Sequence, residues 1–174
     1  FSNLKEAEKA ESKLAVIACF DDPFLLEARR TVSIPTIGIG WSAFTMCSLY
    51  ADNFGVITTV ADAVPVIEDN LKNYGLFDKC SFVHASNIPV LDFENKPEET
   101  QVQMREIIHS LLQEYSVGAI ALGCAGMAHL AKPFSKAWSR VKFTLFQPMC
   151  GTLNFSVLVG FAFSRLQRLT LPLI

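Results

Sequence analysis

The stretch that decides the fold is Ala15-Val16-Ile17-Ala18-Cys19-Phe20-Asp21-Asp22-Pro23. Its apolar half, bounded by turn-forming residues, predicts a buried β-strand over residues 14–19. Asp22 is a suitable N-cap and Pro23 a suitable first helical residue, so a helix is expected to follow at once. The stretch therefore predicts a strand, a turn and a helix, with a thiol where the strand ends.

The same order of features recurs 105 positions later in the chain. Ala119-Ile120-Ala121-Leu122-Gly123-Cys124-Ala125-Gly126 again places a cysteine directly after a short apolar run. Ligands of open α/β sheets bind in the crevice outside the carboxyl ends of the strands. Cys19 and Cys124 are therefore expected to face one substrate from opposite sides, and two pseudo-symmetric lobes would explain the repetition.

Strands and helices are predicted to alternate along the rest of the chain. Besides the first and the repeated stretch, the apolar runs predict strands over residues 35–40, 54–59, 80–85 and 141–146. Helical periodicity or turn residues predict helices over residues 43–50, 65–74, 98–115, 124–133 and 153–166, with a loop over residues 92–100. This alternation predicts an α/β fold with parallel strands and with helices on both faces of the sheet.

The composition of the chain excludes several classes of protein. A chain of 174 residues that is 51% hydrophobic and 18% charged can bury a core in one domain or two small lobes. The net charge of -2, without a Lys/Arg cluster, argues against a nucleic-acid partner. The longest apolar stretch is interrupted and shorter than the roughly 20 residues of a spanning helix, so no membrane segment is predicted. No secretory signal is recognised, and the cytoplasm is the expected location.

Five cysteines are present, at positions 19, 47, 80, 124 and 150, and their odd number and spacing argue against a disulfide scaffold. The three histidines do not have metal-ligand spacing to any cysteine, so no metal site is predicted. A free cysteine usually behaves as a small buried hydrophobe, and Cys47, Cys80 and Cys150 are interpreted in that way. Cys19 and Cys124 lie at strand-to-helix junctions, and for them the structural and the catalytic interpretation both remain open.

A pair of thiols on opposite faces of a carbon acid can invert its stereocentre, because one thiolate removes the proton and the other thiol returns one. Asp21 and Asp22 are expected to raise the pKa of Cys19 by like-charge repulsion.

The other candidate site residues have two interpretations each. Thr58 and Thr59 could bind a substrate or cap the next helix, and Gly38 and Gly40 could line the crevice or shape a turn.

The residues around both cysteines resemble the Asp/Glu/hydantoin racemase superfamily and, within it, the hydantoin and allantoin racemase branch. The segments that carry the resemblance are residues 17–23 with Glu27-Ala28-Arg29, residues 35–40, residues 54–59, Asn87-Ile88-Pro89-Val90-Leu91-Asp92, and residues 121–127. The run Gly123-Cys124-Ala125-Gly126-Met127 is the most specific of them.

The resemblance implies two Rossmann-like lobes with parallel sheets, related by a pseudo-twofold axis, with the active site between them. The first lobe is expected to comprise residues 1–42 and 152–174, and the second residues 43–151. Members of the family usually begin with a strand ending in an Asn-Pro-Asn-Thr-like loop, and no such segment precedes Phe1. An amino-terminal strand and helix are therefore expected to be missing from the first lobe.

The resemblance also implies the roles of single residues. Cys19 and Cys124 become the acid/base thiols, with no cofactor and no metal, in a homo-oligomer. The residues expected to bind substrate are Phe20, Gly38, Gly40, Thr58, Thr59, Gly123, Ala125 and Gly126. The implied substrate is a 5-substituted hydantoin such as allantoin. The alternatives are an aspartate- or glutamate-type racemase, a maleate-type isomerase or a decarboxylase of the same superfamily, and a catalytically silent ligand-binding relative.

Overall fold

The computed structural model describes residues 1–138, 140–144 and 155–158. The helices are α1 Ser2–Lys9, α2 Leu25–Thr31, α3 Ile39–Tyr50, α4 Ala63–Asn73, α5 Asp92–Asn95, α6 Pro97–Glu114 and α7 Ala131–Ala137, with 3₁₀ segments Phe77–Lys79 and Ala125–Leu130. The strands are β1 Leu14–Ile17, β2 Thr36–Gly38, β3 Phe54–Thr58, β4 Cys80–Ala85, β5 Ala119–Leu122, β6 Lys142–Thr144 and β7 Phe155–Leu158. No helix among these residues is both long and apolar enough to cross a membrane.

The strands form two parallel sheets. The first sheet has the strand order β2-β1-β7, and the second has the order β4-β3-β5-β6. The predicted α/β fold with parallel sheets is therefore confirmed. The pseudo-twofold relation and the division into lobes stay predictions, and the predicted boundary between residues 42 and 43 falls inside α3.

The two central strands of the second sheet are covered on both faces. All five residues of β3 and all four of β5 are buried, as expected for parallel strands that have helices on both sides. Alternate residues point to opposite faces. Phe54, Val56 and Ala121 join one hydrophobic cluster, and Ile57 and Leu122 join the other.

Helix α3 connects the second sheet to β1 of the first sheet. Its residues Ala43, Phe44 and Cys47 are fully buried in the cluster that also contains Val16 of β1. The ring of Phe44 stacks on Phe54, with 6.3 Å between the ring centroids. One hydrophobic core therefore joins parts of both sheets, and their relative position is determined by packing rather than by the loops alone.

Two expectations within the second half of the chain are corrected by the structure. Residues 92–100 are not a loop throughout, because α5 forms within them and buries Phe93. The helix predicted from Cys124 to Pro133 is a 3₁₀ segment followed by α7, which continues to Ala137. Pro133 is the third residue of α7, where the missing N–H would have no partner inside the helix, so it does not end the helix.

The predicted helix over residues 153–166 is also wrong in its described part. Residues 155–158 form β7, which pairs in parallel with β1 on the side opposite to β2. An unpaired edge of a buried parallel strand leaves N–H and C=O groups without partners, and pairing with β7 satisfies them. The rest of that predicted helix, the end of the strand predicted over residues 141–146, and Cys150 lie outside the described residues.

Candidate active site

The two cysteines that follow β1 and β5 occupy the same local structure. Each is the second residue after the end of its strand. The carbonyl oxygen of Cys19 accepts a hydrogen bond from the N–H of Asp22 at 3.0 Å, and that of Cys124 accepts one from the N–H of Met127 at 2.9 Å. The repetition in the sequence is therefore also a repetition of strand, thiol and tight turn.

Cys19 is half-buried, and its surroundings disfavour its thiolate. Burial raises the pKa of Cys19 above its ordinary value of 9.0, and the negative charges of Asp21, Asp22 and Cys124 raise it further. A backbone amide contact from Asp21 acts in the opposite direction. The predicted like-charge effect of the two aspartates is thus present, although burial is the larger cause.

Cys124 is half-buried as well, and the causes of its pKa shift match those of Cys19. Burial raises the pKa of Cys124, the charge of Asp21 raises it further, and backbone amide contacts from Gly126 and Met127 lower it. Because Asp21 acts on both thiols and Cys124 acts on Cys19, the structure brings the two predicted thiols and this carboxylate into one region. Gly126 adjoins the thiol: an added Cβ would lie 3.7 Å from Cys124 Sγ.

Phe20 and Gly123 connect the loops that carry the two thiols. Phe20 is 5% exposed, and its ring packs edge to face on Phe44, with centroids 5.2 Å apart. A Cβ added at Gly123 would lie 3.2 Å from Phe20 Cε1 and 2.9 Å from the carbonyl oxygen of Ile57. Packing between the loops therefore explains why a phenylalanine stands at position 20 and a glycine at position 123. The predicted contact of these two residues with substrate stays a prediction.

Thr58 and Thr59 are buried at the carboxyl end of β3, which lies beside β5. They are therefore at the same edge of the sheet as Cys124. The carbonyl oxygen of Thr58 accepts a hydrogen bond from the N–H of Ser86 at 2.8 Å, which continues the pairing of β3 with β4. Ala125 is exposed beside the second thiol. The predicted substrate contacts of these residues remain predictions.

Asp22 caps a different helix from the one that the sequence predicts. The sequence predicts it as the N-cap of α2, but α2 begins at Leu25, after Phe24 in the left-handed conformation and without a side-chain cap. Asp22 itself has a positive φ of 47°. The backbone is thus turned so that the carboxylate reaches the first turn of α3, where it satisfies two amides that have no partner inside that helix.

The Asp22 carboxylate has three hydrogen-bond donors. The N–H groups of Gly40 and Trp41 donate to it at 3.0 and 2.5 Å, and the hydroxyl of Tyr74 donates at 3.0 Å. Burial raises the pKa of Asp22 to about 6, against the effect of these hydrogen bonds and of Arg29. The sequence-based prediction therefore assigns Asp22 to the wrong helix. The glycines at 38 and 40 are compatible with a close approach of another segment, but they do not identify Asp22 as that segment.

Gly38 and Gly40 lie against this carboxylate. A Cβ at Gly38 would overlap the carboxylate of Asp22, and one at Gly40 would overlap the carbonyl oxygen of Phe20. Gly40 is the second residue of α3 and not part of a strand, since β2 ends at Gly38 and α3 begins at Ile39. Close approach of the loop after β1 therefore explains both glycines, and their contact with substrate stays a prediction.

Two surface depressions lie near these loops. One, of about 320 Å³, adjoins the carboxyl end of β4 and is lined by Ser86, Asn87, Ile88, Pro89, Asp92, Gln103, Glu106 and Ile107. The other, of about 200 Å³, is lined by Asp22, Phe24, Leu25, Leu26, Glu27, Asn70, Asn73 and Tyr74. Neither of these two is lined by a thiol. Within the described part of the chain, no three His, Cys, Asp or Glu side chains are grouped so as to hold a metal ion.

Comparisons with known proteins agree with the fold. A sequence profile described as Asp/Glu/hydantoin racemase matches residues 1–149. The hydantoin racemase of Rhizobium meliloti is 37% identical over 136 residues, which cover 78% of this chain and 56% of that protein. The hydantoin racemase of Pseudomonas sp. (strain NS671) is 33% identical over 133 residues, covering 76% of this chain and 53% of that protein.

Solved structures give the same relationship. The allantoin racemase from Klebsiella pneumoniae superimposes with a TM-score of 0.76 at 33% identity, covering 83% of this chain and 58% of that one. The glutamate racemase RacE1 from Bacillus anthracis, at 23% identity and a TM-score of 0.59, shares the fold. The chain spans a little over half the length of each of these relatives. By its sequence and its structure, the chain belongs to the Asp/Glu/hydantoin racemase family.

Proposed function

We propose that this chain forms the catalytic part of a racemase that inverts the Cα stereocentre of a 5-substituted hydantoin such as allantoin. Cys19 and Cys124 act as its two acid/base groups, and neither a cofactor nor a metal takes part. The observation that carries the proposal is the matched position of the two thiols after β1 and β5, within reach of each other's charge. The relatives named hydantoin racemase and allantoin racemase support the reaction class.

The reaction needs two proton transfers on opposite faces of one carbon. The thiolate of one cysteine removes the Cα proton, an S–H bond forms, and the electron pair of the broken C–H bond moves onto the adjacent carbonyl as an enolate. The opposite thiol then gives its proton to the other face of the carbon and becomes a thiolate. The two cysteines finish with exchanged protonation states, so they have reversed roles for the opposite enantiomer.

The raised thiol pKa values have two opposing effects on this chemistry. Burial makes each thiolate a stronger base, because the charge is poorly solvated until it accepts a proton. The same burial lowers the fraction of thiolate at neutral pH. Ionisation of one thiol is therefore expected to limit the rate unless the pH is alkaline.

The charges around the thiols favour a neutral substrate. Within the described residues, the charged side chains that shift the thiol pKa values, other than the thiols themselves, are Asp21 and Asp22. A substrate with a carboxylate beside its reacting carbon would be repelled by both. A hydantoin ring is uncharged and has its acidic C–H next to a carbonyl group. This argues for the ring over the dicarboxylate substrates of the alternative racemases and isomerases.

The test is to incubate one enantiomer of allantoin, or of a 5-alkylhydantoin, with the 174-residue chain in D₂O. Loss of optical rotation should coincide with incorporation of one deuterium at Cα, both above the rate measured without protein. Parallel incubations contain aspartate, glutamate, maleate and an arylmalonate. Turnover of one of these carboxylates instead of the hydantoin would replace the proposal, and ligand binding without turnover of any compound would favour the silent relative.

The further properties implied by the resemblance are part of the same proposal. We expect a homo-oligomer that binds a small molecule in the cytoplasm, without nucleic-acid or membrane partners. Sedimentation of the purified chain tests the first of these expectations, because a monomer at micromolar concentration would contradict it.

A further inference from the structure

The loop that carries the first thiol is tied to two helices. Asp22, which is 4% exposed, accepts hydrogen bonds from the first turn of α3 through Gly40 and Trp41, and from Tyr74 directly after α4. Asn70 of α4 donates from Nδ2 to the carbonyl oxygen of Asp21 at 2.7 Å. Side chains and amides from outside the loop therefore fix two successive residues of it.

The same residue closes the turn that contains the thiol. The N–H of Asp22 donates to the carbonyl oxygen of Cys19 at 3.0 Å, while its side chain contacts α3 and Tyr74. A displacement of Asp22 would therefore be transmitted to Cys19 through one short turn. The loop after β1 also lies very close to the start of α3, because added Cβ atoms at Gly38 and Gly40 would overlap atoms of this loop.

The helices that hold Asp22 pack on the sheet that carries the second thiol. Phe44 of α3 and Ile67 of α4 are fully buried in one cluster with Ala119 and Ala121 of β5. Cys124 follows directly after β5 and Gly123. A connected path of packed and hydrogen-bonded groups thus runs from the first thiol, through Asp22 and these helices, to the strand of the second.

We propose that Asp22 is a positioning residue that fixes Cys19 relative to Cys124 across the two sheets. The inference rests on the proposed function, in which both thiols act on one carbon. Asp22 does not touch the substrate; its carboxylate sets the place of the loop, and Gly38 and Gly40 leave the space for it. Proton transfer is sensitive to position, since a displacement of about 1 Å can lower a rate by roughly 100-fold.

The test compares Asp22→Asn with Asp21→Asn. Each variant removes one negative charge that acts on Cys19, but only Asp22→Asn changes the group that accepts the three hydrogen bonds. We expect kcat of Asp22→Asn to fall by roughly 10- to 100-fold relative to Asp21→Asn, with KM changed by less than about twofold. Equal kcat values in the two variants would overturn the inference.

Tyr74→Phe provides a second test that changes no charge at neutral pH. It removes one of the three donors, so kcat should fall by a smaller factor, and the ratio of iodoacetamide alkylation at Cys19 to that at Cys124, measured by peptide mass spectrometry, should rise. If Asp22→Asn does not fold, Tyr74→Phe alone tests the positioning role of Asp22. A wild-type kcat together with a wild-type alkylation ratio in Tyr74→Phe would overturn the inference. If wild type shows no turnover, the proposed function fails, and the alkylation ratio alone still tests the positioning role.

Discussion

The ring of Phe20 lies against Gly123, so the loops after β1 and β5 meet with no space for a side chain between them. In Gly123→Ala the new Cβ would lie 2.9 Å from the carbonyl oxygen of Ile57 and 3.2 Å from Phe20 Cε1. We expect this overpacking to lower the free energy of unfolding by about 1–3 kcal/mol, measured by urea denaturation.

The matched control for this substitution is Gly126→Ala. Its Cβ would have its nearest neighbours at 3.7 Å and 3.8 Å, which is ordinary contact. The free energy of unfolding should therefore change by less than about 0.5 kcal/mol. Equal destabilisation by both substitutions would show that the close contacts at Gly123 are not the cause.

Replacement of either thiol by a hydroxyl should remove the inversion of the stereocentre. Cys19→Ser and Cys124→Ser keep the shape of the side chain but leave a much weaker acid, so kcat should fall by roughly 100- to 10,000-fold. Cys80→Ala is the control, because the Cys80 thiol donates to the carbonyl oxygen of Phe82 within β4 and takes no part in the proposed reaction. Wild-type racemisation by both serine variants would refute the two-thiol mechanism.

The pH dependence of the proposed reaction follows from the raised thiol pKa values. Since both pKa values lie above 9.0, kcat/KM should still be rising at pH 9. A nearby negative charge disfavours the thiolate, so its removal in Asp21→Asn lowers both pKa values and moves the rise to lower pH. A rise at the same pH in wild type and variant would contradict the influence of Asp21 on the thiols.

Asp22 should make stability depend on pH in a defined direction. Its pKa is about 6 in the folded protein, against an ordinary value of 3.8 for an exposed aspartate, so between these values the folded state binds more protons than the unfolded one. The contribution of Asp22 to the free energy of unfolding therefore falls as pH rises from about 4 to 6, by at most about 3 kcal/mol. Among the described residues, Arg29 and Tyr74 both lower the pKa of Asp22, Arg29 by its charge and Tyr74 by its hydrogen bond, and neither titrates between pH 4 and 6.5.

The measurement is the difference in the free energy of unfolding between wild type and Asp22→Asn at pH 4 and at pH 6.5. Most other carboxyl groups titrate alike in both proteins and cancel in this difference. The advantage of wild type should be larger at pH 4. A difference that is the same at both pH values would show that the pKa of Asp22 is not raised by folding.

The sequence alone predicts those helices and strands in which every residue favours the same structure. The runs at 80–85 and 119–122 form strands with the predicted bounds. All four residues of β5 are buried, and a buried parallel strand requires such an apolar run, whereas the half-buried β4 lies at the edge of its sheet. Gly75 ends α4 near the predicted place, with a φ of 69° that glycine adopts at little cost. The matched position of the two thiols can also be predicted from the sequence, since each thiol follows a short apolar run.

The remaining features depend on contacts between distant parts of the chain. Asp22 could cap α2 or α3 by its residue type, and the positive φ values of Asp22 and Phe24, which decide between them, leave no mark in the sequence. The helix prediction for residues 155–158 fails because their pairing with β1 joins segments more than 130 positions apart. The overlap that requires Gly38 appears only when the loop after β1 lies against it.

The packing of Phe20 on Phe44 has a consequence for ligand affinity. Phe20 is the residue next to Cys19, and its ring is held in the core with Phe44. The conformational entropy that is lost when this part of the backbone becomes ordered is therefore lost during folding. A molecule that arrives beside Cys19 meets a rigid peptide, and its dissociation constant is not increased by an ordering step at that position.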